Sequence, residues 1–281
     1  MRAIDMRLRP PFGGFLDGIL YKADGPNKMA AYRCLEPSPS VQSRSMERLL
    51  EEMDAAGVAY GVVPIRKTNG GHNEELLDLL DRYPERFIGI PHIDPLEGKQ
   101  ALEEIRKYVL DGPCRGVIME PAAIFNKENW YITDERAFDA YEMCQTHGIP
   151  LLFTYGGRLV KDQGYLNPLY ADRLGYLFPE LNMVFCHGGW PHITQMCHAA
   201  AQHPNIYISA DVYMMDFTAG YEAYVTGANY QLQDQFLFGS SYPVVSLRQA
   251  VEKYTRMLRP EVLDKVLYRN AARLFGLPEE Q

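Results

Sequence analysis

One pattern constrains this chain more than any other: a short apolar run followed by an amphipathic stretch recurs eight times. The runs are AIDMRL (3–8), VAYGVVPI (58–65), FIGIPHI (87–93), RGVIME (115–120), IPLLFT (149–154), NMVFCH (182–187), NIYISAD (205–211) and QFLFGSSY (235–242). Between them lie stretches such as SMERLLEEMDAAG, NEELLDLLDRYPERF and DERAFDAYEMCQTHG, with apolar residues at helical spacing and a Gly or Pro near the end. Strands that alternate with helices pair in parallel and cross over right-handed. Eight such units close into a (β/α)8 or TIM barrel, an α/β fold that typically needs ~250 residues. The chain has 281 residues, 47% of them hydrophobic, so a single domain over 1–281 is expected. An open doubly wound sheet is the alternative, but it calls for a glycine fingerprint after the first strand, and none is present.

One connection departs from the pattern. Residues 10–42 are rich in Pro, Gly and aromatics, and a connection this long in a compact domain is usually functional or disordered. Phe12, Phe15, Tyr21 and Tyr32 make it too apolar for a disordered tail. It reads as a lid loop over the barrel mouth or, equally, as an excursion packed on a neighbouring subunit.

Charge and composition narrow the partners. Net charge is -8 and no basic stripe runs along any segment, which argues against nucleic acid. No apolar run approaches the ~20 residues of a membrane helix, and the opening MRAIDMRLRP lacks the apolar core of a secretory signal. Five cysteines without a C-x-x-C motif argue against a disulfide framework and fit a reducing cytoplasm.

Barrel chemistry sits where strands end and their loops begin. In the first run Ile4, Met6 and Leu8 alternate with Asp5, Arg7 and Arg9. Alternation puts the apolar set on the helices and the charged set inside, where charges need partners or a use. The arginines then serve as internal salt-bridge partners or as a clamp for a substrate anion, with Arg9 nearer the mouth. The fourth, sixth and seventh runs end in Glu120, His187 and Asp211. A barrel gathers these three, giving a histidine for general acid–base work and a carboxylate to orient it or activate water. For both carboxylates, pairing with Arg7 and Arg9 is the structural alternative. Further candidates to line the mouth are Asn73, His92, Thr154, Tyr155, Trp190, Ser241 and Tyr242.

At these strand ends the chain resembles the amidohydrolase-related family that includes aminocarboxymuconate semialdehyde decarboxylase and pyrone-dicarboxylate lactonase. IDMRLRP is similar to the family's I-D-x-H-x-H opening, DRYPERFIGIPHIDP to its Y-P-x-R-F-x-G segment, and PELNMVFCHGGWP to its H-G-G loop. FLFGSSYP is similar to F-G-S-D-Y-P and RNAARLFGL to the closing helix. The resemblance implies a metal on the two histidines of H-x-H, a histidine of strand five and the aspartate of G-S-D-Y-P. Those positions hold Arg7, Arg9, Thr154 and Ser241 here. A guanidinium cannot ligate a cation, so no metal cofactor is expected. A single zinc or manganese displaced onto Glu120, His187 and Asp211 is the alternative. His187 matches the family's H-G-G histidine, and the resemblance also implies a homodimer.

Three functions stay open at this stage. One is hydrolysis of a small carboxylated, lactone-like or aromatic-derived substrate, with arginines doing the electrostatic work of a metal. The second is decarboxylation of a small aromatic or unsaturated acid. The third is a barrel that binds an anionic metabolite without turning it over.

Overall fold

The computed structural model of the chain describes residues 2–22, 31, 33, 35–66 and 70–279. Tyr32, one of the aromatics of the expected lid, lies outside them. Seven parallel strands alternate with helices: β1 (Ala3–Asp5), α1 (Met46–Ala56), β2 (Val58–Pro64), α2 (Asn73–Arg82), β3 (Phe87–Ile90), α3 (Lys99–Ile105), β4 (Val117–Met119), α4 (Phe138–Thr146), β5 (Leu151–Thr154), α5 (Pro168–Leu177), β6 (Met183–Cys186), α6 (Ile193–Gln202), β7 (Ile206–Ser209), α7 (Tyr221–Asn229) and α8 (Leu247–Met257). The helices start and stop where the sequence supplies caps. Ser45 accepts a bond from Arg48 N at the head of α1, and Gly57, with φ of 73°, ends it.

The strands form two ladders, β1–β2–β3 and β4–β5–β6–β7. Single contacts join them into a ring. His92 bridges to Ile118, and the eighth run takes the last place: Phe236 bridges to Ile208, while Met6 N donates to Phe238 O at 2.9 Å. This run forms no regular strand, because its mouth end leaves the ladder. Ser240 gives its backbone N–H and its hydroxyl to the Asp5 carboxylate instead. No helix among the described residues is long and apolar enough to cross a membrane.

Two apolar layers follow from strand alternation. Ile4, Val62, Ile88, Ile90, Ile118, Leu152, Val184 and Leu237, drawn from all the strand positions but β7, share one buried cluster with Tyr207 of β7. Residues from every position around the ring can meet only in the barrel interior. Ala271, Ala272 and Phe275, in and just after the terminal helical segment Asn270–Leu274, join that cluster. The intervening strand residues, among them Val63, Met119, Phe153, Phe185 and Ile208, face the helix layer.

The first run corrects the simple alternation. Ile4 and Met6 belong to the interior cluster rather than to the helix layer. The reason is local: Asp5 Oδ1 accepts from Arg7 N at 3.0 Å, an Asx-type turn that ends β1 after three residues and resets its phase. Leu8 does face outward and packs on Gly61, where a Cβ would stand 2.8 Å from Leu8 Cδ1. Beyond the turn, Arg7 and Arg9 are buried at the mouth end.

The long connection after β1 is fastened at two points. Tyr21 Oη donates to Arg9 O at 2.8 Å, and Ser40 Oγ lies 2.7 Å from Tyr242 Oη. Ile19 and Leu20, just before the first fastening, line the mouth cavity.

Candidate active site

Three strand ends at the mouth turn through the left-handed region without glycine: His187 (φ 66°), Asp211 (φ 55°) and Ser241 (φ 60°). Each costs about 1–3 kcal/mol, and such residues cluster at functional sites. After β6 the chain continues left-handed through Gly188 and Gly189, where Cβ atoms would strike Tyr224 and Met196 at 2.8 Å. That turn aims His187 back over the barrel. Gly239 serves Asp211 in the same way, since a Cβ there would lie 2.4 Å from Asp211 Oδ1.

The first set of charges comprises Arg7, His187 and Asp211. His187 Nδ1 is 3.1 Å from Asp211 Oδ2, and His187 Nε2 is 3.2 Å from Arg7 Nη2. A carboxylate only accepts and a guanidinium only donates, so these partners assign the proton to Nδ1 and leave Nε2 as the acceptor. Ser209 Oγ donates to Asp211 Oδ1. Burial works against the Asp211 carboxylate, but the bond and charge of His187, with Arg7 and Ser209, hold its pKa below the usual value. Burial, reinforced by the charge of Arg7, pushes His187 down to about 4, so its imidazole is neutral at pH 7. Arg7 Nε stands 3.7 Å from Asp211 Oδ2, and neither Nε nor Nη1 has a hydrogen-bond partner among the described residues.

Arg9 completes this side. Its Nη1 and Nη2 donate to Arg7 O and Ser241 O at 3.0 and 2.9 Å, while its buried Nε is unpartnered. Burial and then the charges of Arg7 and Arg66 lower it to about 9, still a cation at neutral pH. Thr154, at the end of β5, is buried with its Oγ1 unpartnered.

A second set stands across the mouth. Arg66 Nε donates to Glu120 Oε1 at 2.5 Å, and His92 Nε2 lies 3.8 Å from Glu120 Oε2. Burial raises the Glu120 pKa, but Arg66 and His92 outweigh it and hold the carboxylate below its usual range. Asn73 fixes His92 by both backbone groups, accepting from His92 N at 2.8 Å and donating to His92 O at 2.9 Å.

Two candidates are corrected. Tyr155 is buried in the helix layer with its hydroxyl on Asn167 O, and Tyr242 turns its hydroxyl to Ser40. Each follows a mouth residue, Thr154 or Ser241, by one position, so the alternation that places its neighbour at the mouth turns it away. Trp190 stacks on Tyr213 beside the mouth, with ring centroids 5.0 Å apart. The arginines beyond the first run went unread. Arg66 is the residue directly after the second run, and the strand-end rule applied there finds it. Arg158 follows the fifth run through a Gly-Gly turn.

The cavity over His187 has a volume of about 280 Å³. Arg9, Arg33, Arg66 and Arg158 line it together with Ser241 and an apolar wall of Ile19, Leu20, Leu159, Val212 and Val244, and no carboxylate side chain lines it. A larger cavity of about 480 Å³ lies beside α2, lined by Glu74, Asp94, Glu97 and Glu104 and by no Arg or Lys. An anion belongs in the first.

A family model described as amidohydrolase matches residues 34–277. The chain belongs to the amidohydrolase family. Among solved structures, an uncharacterized TIM-barrel protein of Bordetella bronchiseptica is 32% identical, with 98% of this chain and 99% of that one covered and a TM-score of 0.90. A dihydroxybenzoic acid decarboxylase of Polaromonas sp. JS666, solved with manganese and 2-nitroresorcinol, is 14% identical over 98% and 97% at a TM-score of 0.69. A probable 2-pyrone-4,6-dicarboxylic acid hydrolase of Acinetobacter baumannii, solved with citric acid, is 13% identical over 99% and 100% at 0.65. A comparison with curated proteins returns no match.

The donor set does not suit a cation. Of the four positions where the resemblance implies a metal, two hold buried guanidiniums, and Arg7 presses one of them onto His187. Glu120 of the displaced set is engaged by Arg66. No three His, Cys, Asp or Glu side chains among the described residues gather as a group that could hold a metal.

Proposed function

We propose that the chain is a hydrolase of a small carboxylated, lactone-like substrate, working without a divalent metal. The observation that carries this reading is His187, neutral and held by Asp211, facing a cavity lined by four arginines and no carboxylate.

The substrate's acid group docks on the arginines, whose forks match a carboxylate. Its carbonyl oxygen takes up negative charge as water attacks and draws Arg7, whose Nε and Nη1 are free to donate, away from His187. His187 Nε2 then accepts the water's proton while Asp211 steadies the imidazolium through Nδ1. The ring C–O bond breaks, and the leaving oxygen takes that proton back. A histidine lowered to about 4 suits a base better than a proton donor, which favours hydrolysis over decarboxylation.

Assaying a panel of carboxylated lactones and aromatic acids for acid release and carbon dioxide release tests the reading. Acid release that disappears in His187→Gln supports it. Carbon dioxide release makes the protein a decarboxylase, and binding without turnover makes it a binder.

A further inference from the structure

A second cavity of about 330 Å³ adjoins the one over His187. The two share Arg33, Arg158, Val212 and Tyr213 in their linings, so those residues stand at the boundary. The outer cavity is walled by Trp190, Tyr213 and Phe217 and, like the inner one, by no carboxylate side chain. In a chain of net charge -8, two neighbouring cavities with arginines and no acid are a selected surface.

The arginines fall into two groups. Arg9 lies deep, 5% exposed, with a buried Nε that has no partner among the described residues. Arg33 comes from the long connection after β1, Arg158 from the loop after β5, and both stand at the rim. The rim pair is mutually unfavourable. Burial and then the charge of Arg158 lower the pKa of Arg33, and nothing acidic in either lining offsets the repulsion. Two like charges brought from separate loops to one boundary are relieved by an anion between them.

We propose that the site takes a substrate with two acidic groups: one on Arg9 beside His187, the other at a rim subsite made by Arg33 and Arg158. This names the substrate class for the reading above and rests on it for the chemistry, though not for the binding. The inner cavity, at ~30 Å³ per water, equals about nine waters, which sets the ligand's scale near ten non-hydrogen atoms. The apolar wall between the two acidic ends suits the ligand's carbon skeleton. The rim pair confers specificity by position: a monoacid satisfies Arg9 and leaves Arg33 and Arg158 facing each other.

Calorimetric titration of the full chain at low salt tests this, with butyrate as the monoacid and the straight-chain diacids from succinate to adipate. At least one diacid binds about tenfold or more tighter than butyrate. Arg158→Ala, whose side chain is exposed, removes that advantage and leaves butyrate affinity unchanged, and Arg33→Ala does the same. Arg9→Lys weakens both ligand types. The proposal is overturned if no diacid binds tighter than butyrate, including no binding at all, or if Arg158→Ala and Arg33→Ala leave the diacid advantage intact. Failure of the hydrolase reading looks different: diacids bind with the rim signature, yet no lactone is turned over.

Discussion

The mouth holds two sets built from the same three residue types, Arg7–Asp211–His187 and Arg66–Glu120–His92, and they differ in how fully they are satisfied. In the second, the guanidinium bonds the carboxylate directly and Asn73 pins the histidine by its backbone. In the first, the guanidinium stands 3.7 Å from its carboxylate with two N–H groups unpartnered, and two of the three residues sit in left-handed backbone. Strain and unspent donors mark the side prepared to react, and close pairing marks the side that holds the barrel together.

The comparison breaks most readily at the histidines. His187→Gln should lower turnover by about 10²–10⁴-fold with the fold intact, whereas His92→Gln should cost far less. Equal losses from both, measured as kcat/KM, would erase the distinction.

Stability gives the next largest effect, with the roles reversed. Arg66→Met strands the buried Glu120 carboxylate and should destabilise by about 3–5 kcal/mol. Arg7→Met should cost less, because Asp211 keeps Ser209 and His187, while turnover falls. Denaturant midpoints of the two variants check the order, and a more damaging Arg7→Met would reverse the assignment.

Acid sharpens the contrast further. His187 is lowered from 6.5 to about 4 in the fold, so between those values the unfolded chain binds a proton that the folded chain does not. Stability therefore falls as pH drops from 6.5 toward 4, by an amount of order 3 kcal/mol in all. His187→Gln should remove that slope, and a variant with the wild-type slope would place its origin elsewhere. The smallest expected effect is that of chelation. Dialysis against EDTA should leave turnover unchanged, and stoichiometric metal lost together with activity would overturn the metal-free mechanism.

Much of this was legible in the chain itself. Eight apolar runs spaced by amphipathic stretches place the strands, and the residues that close those runs supply Arg9, Glu120, His187, Asp211 and Ser241. What failed was parity. Reading AIDMRL as unbroken alternation puts Ile4 on the helices, but the Asp5 side chain bonds Arg7 N and resets the phase. Parity also separates Thr154 from Tyr155 and Ser241 from Tyr242, adjacent pairs whose members serve different layers. Arg33 was out of reach for another reason: it lies in a segment with no period, and only the fold brings it to Arg158.

The two fastenings of the long connection bear on how such a barrel can diversify. Tyr21 is tied to the backbone of Arg9 and Ser40 to the hydroxyl of Tyr242, so the connection is anchored to the same strand ends that present the reactive groups. Exchanging the whole segment for another would disturb the floor along with the roof. The stretch between the anchors is under no such obligation. It can be lengthened, shortened or recoloured in charge while the tied ends hold the strand termini in register, which makes it the part of the chain where new ligand preferences can arise without rebuilding the chemistry beneath.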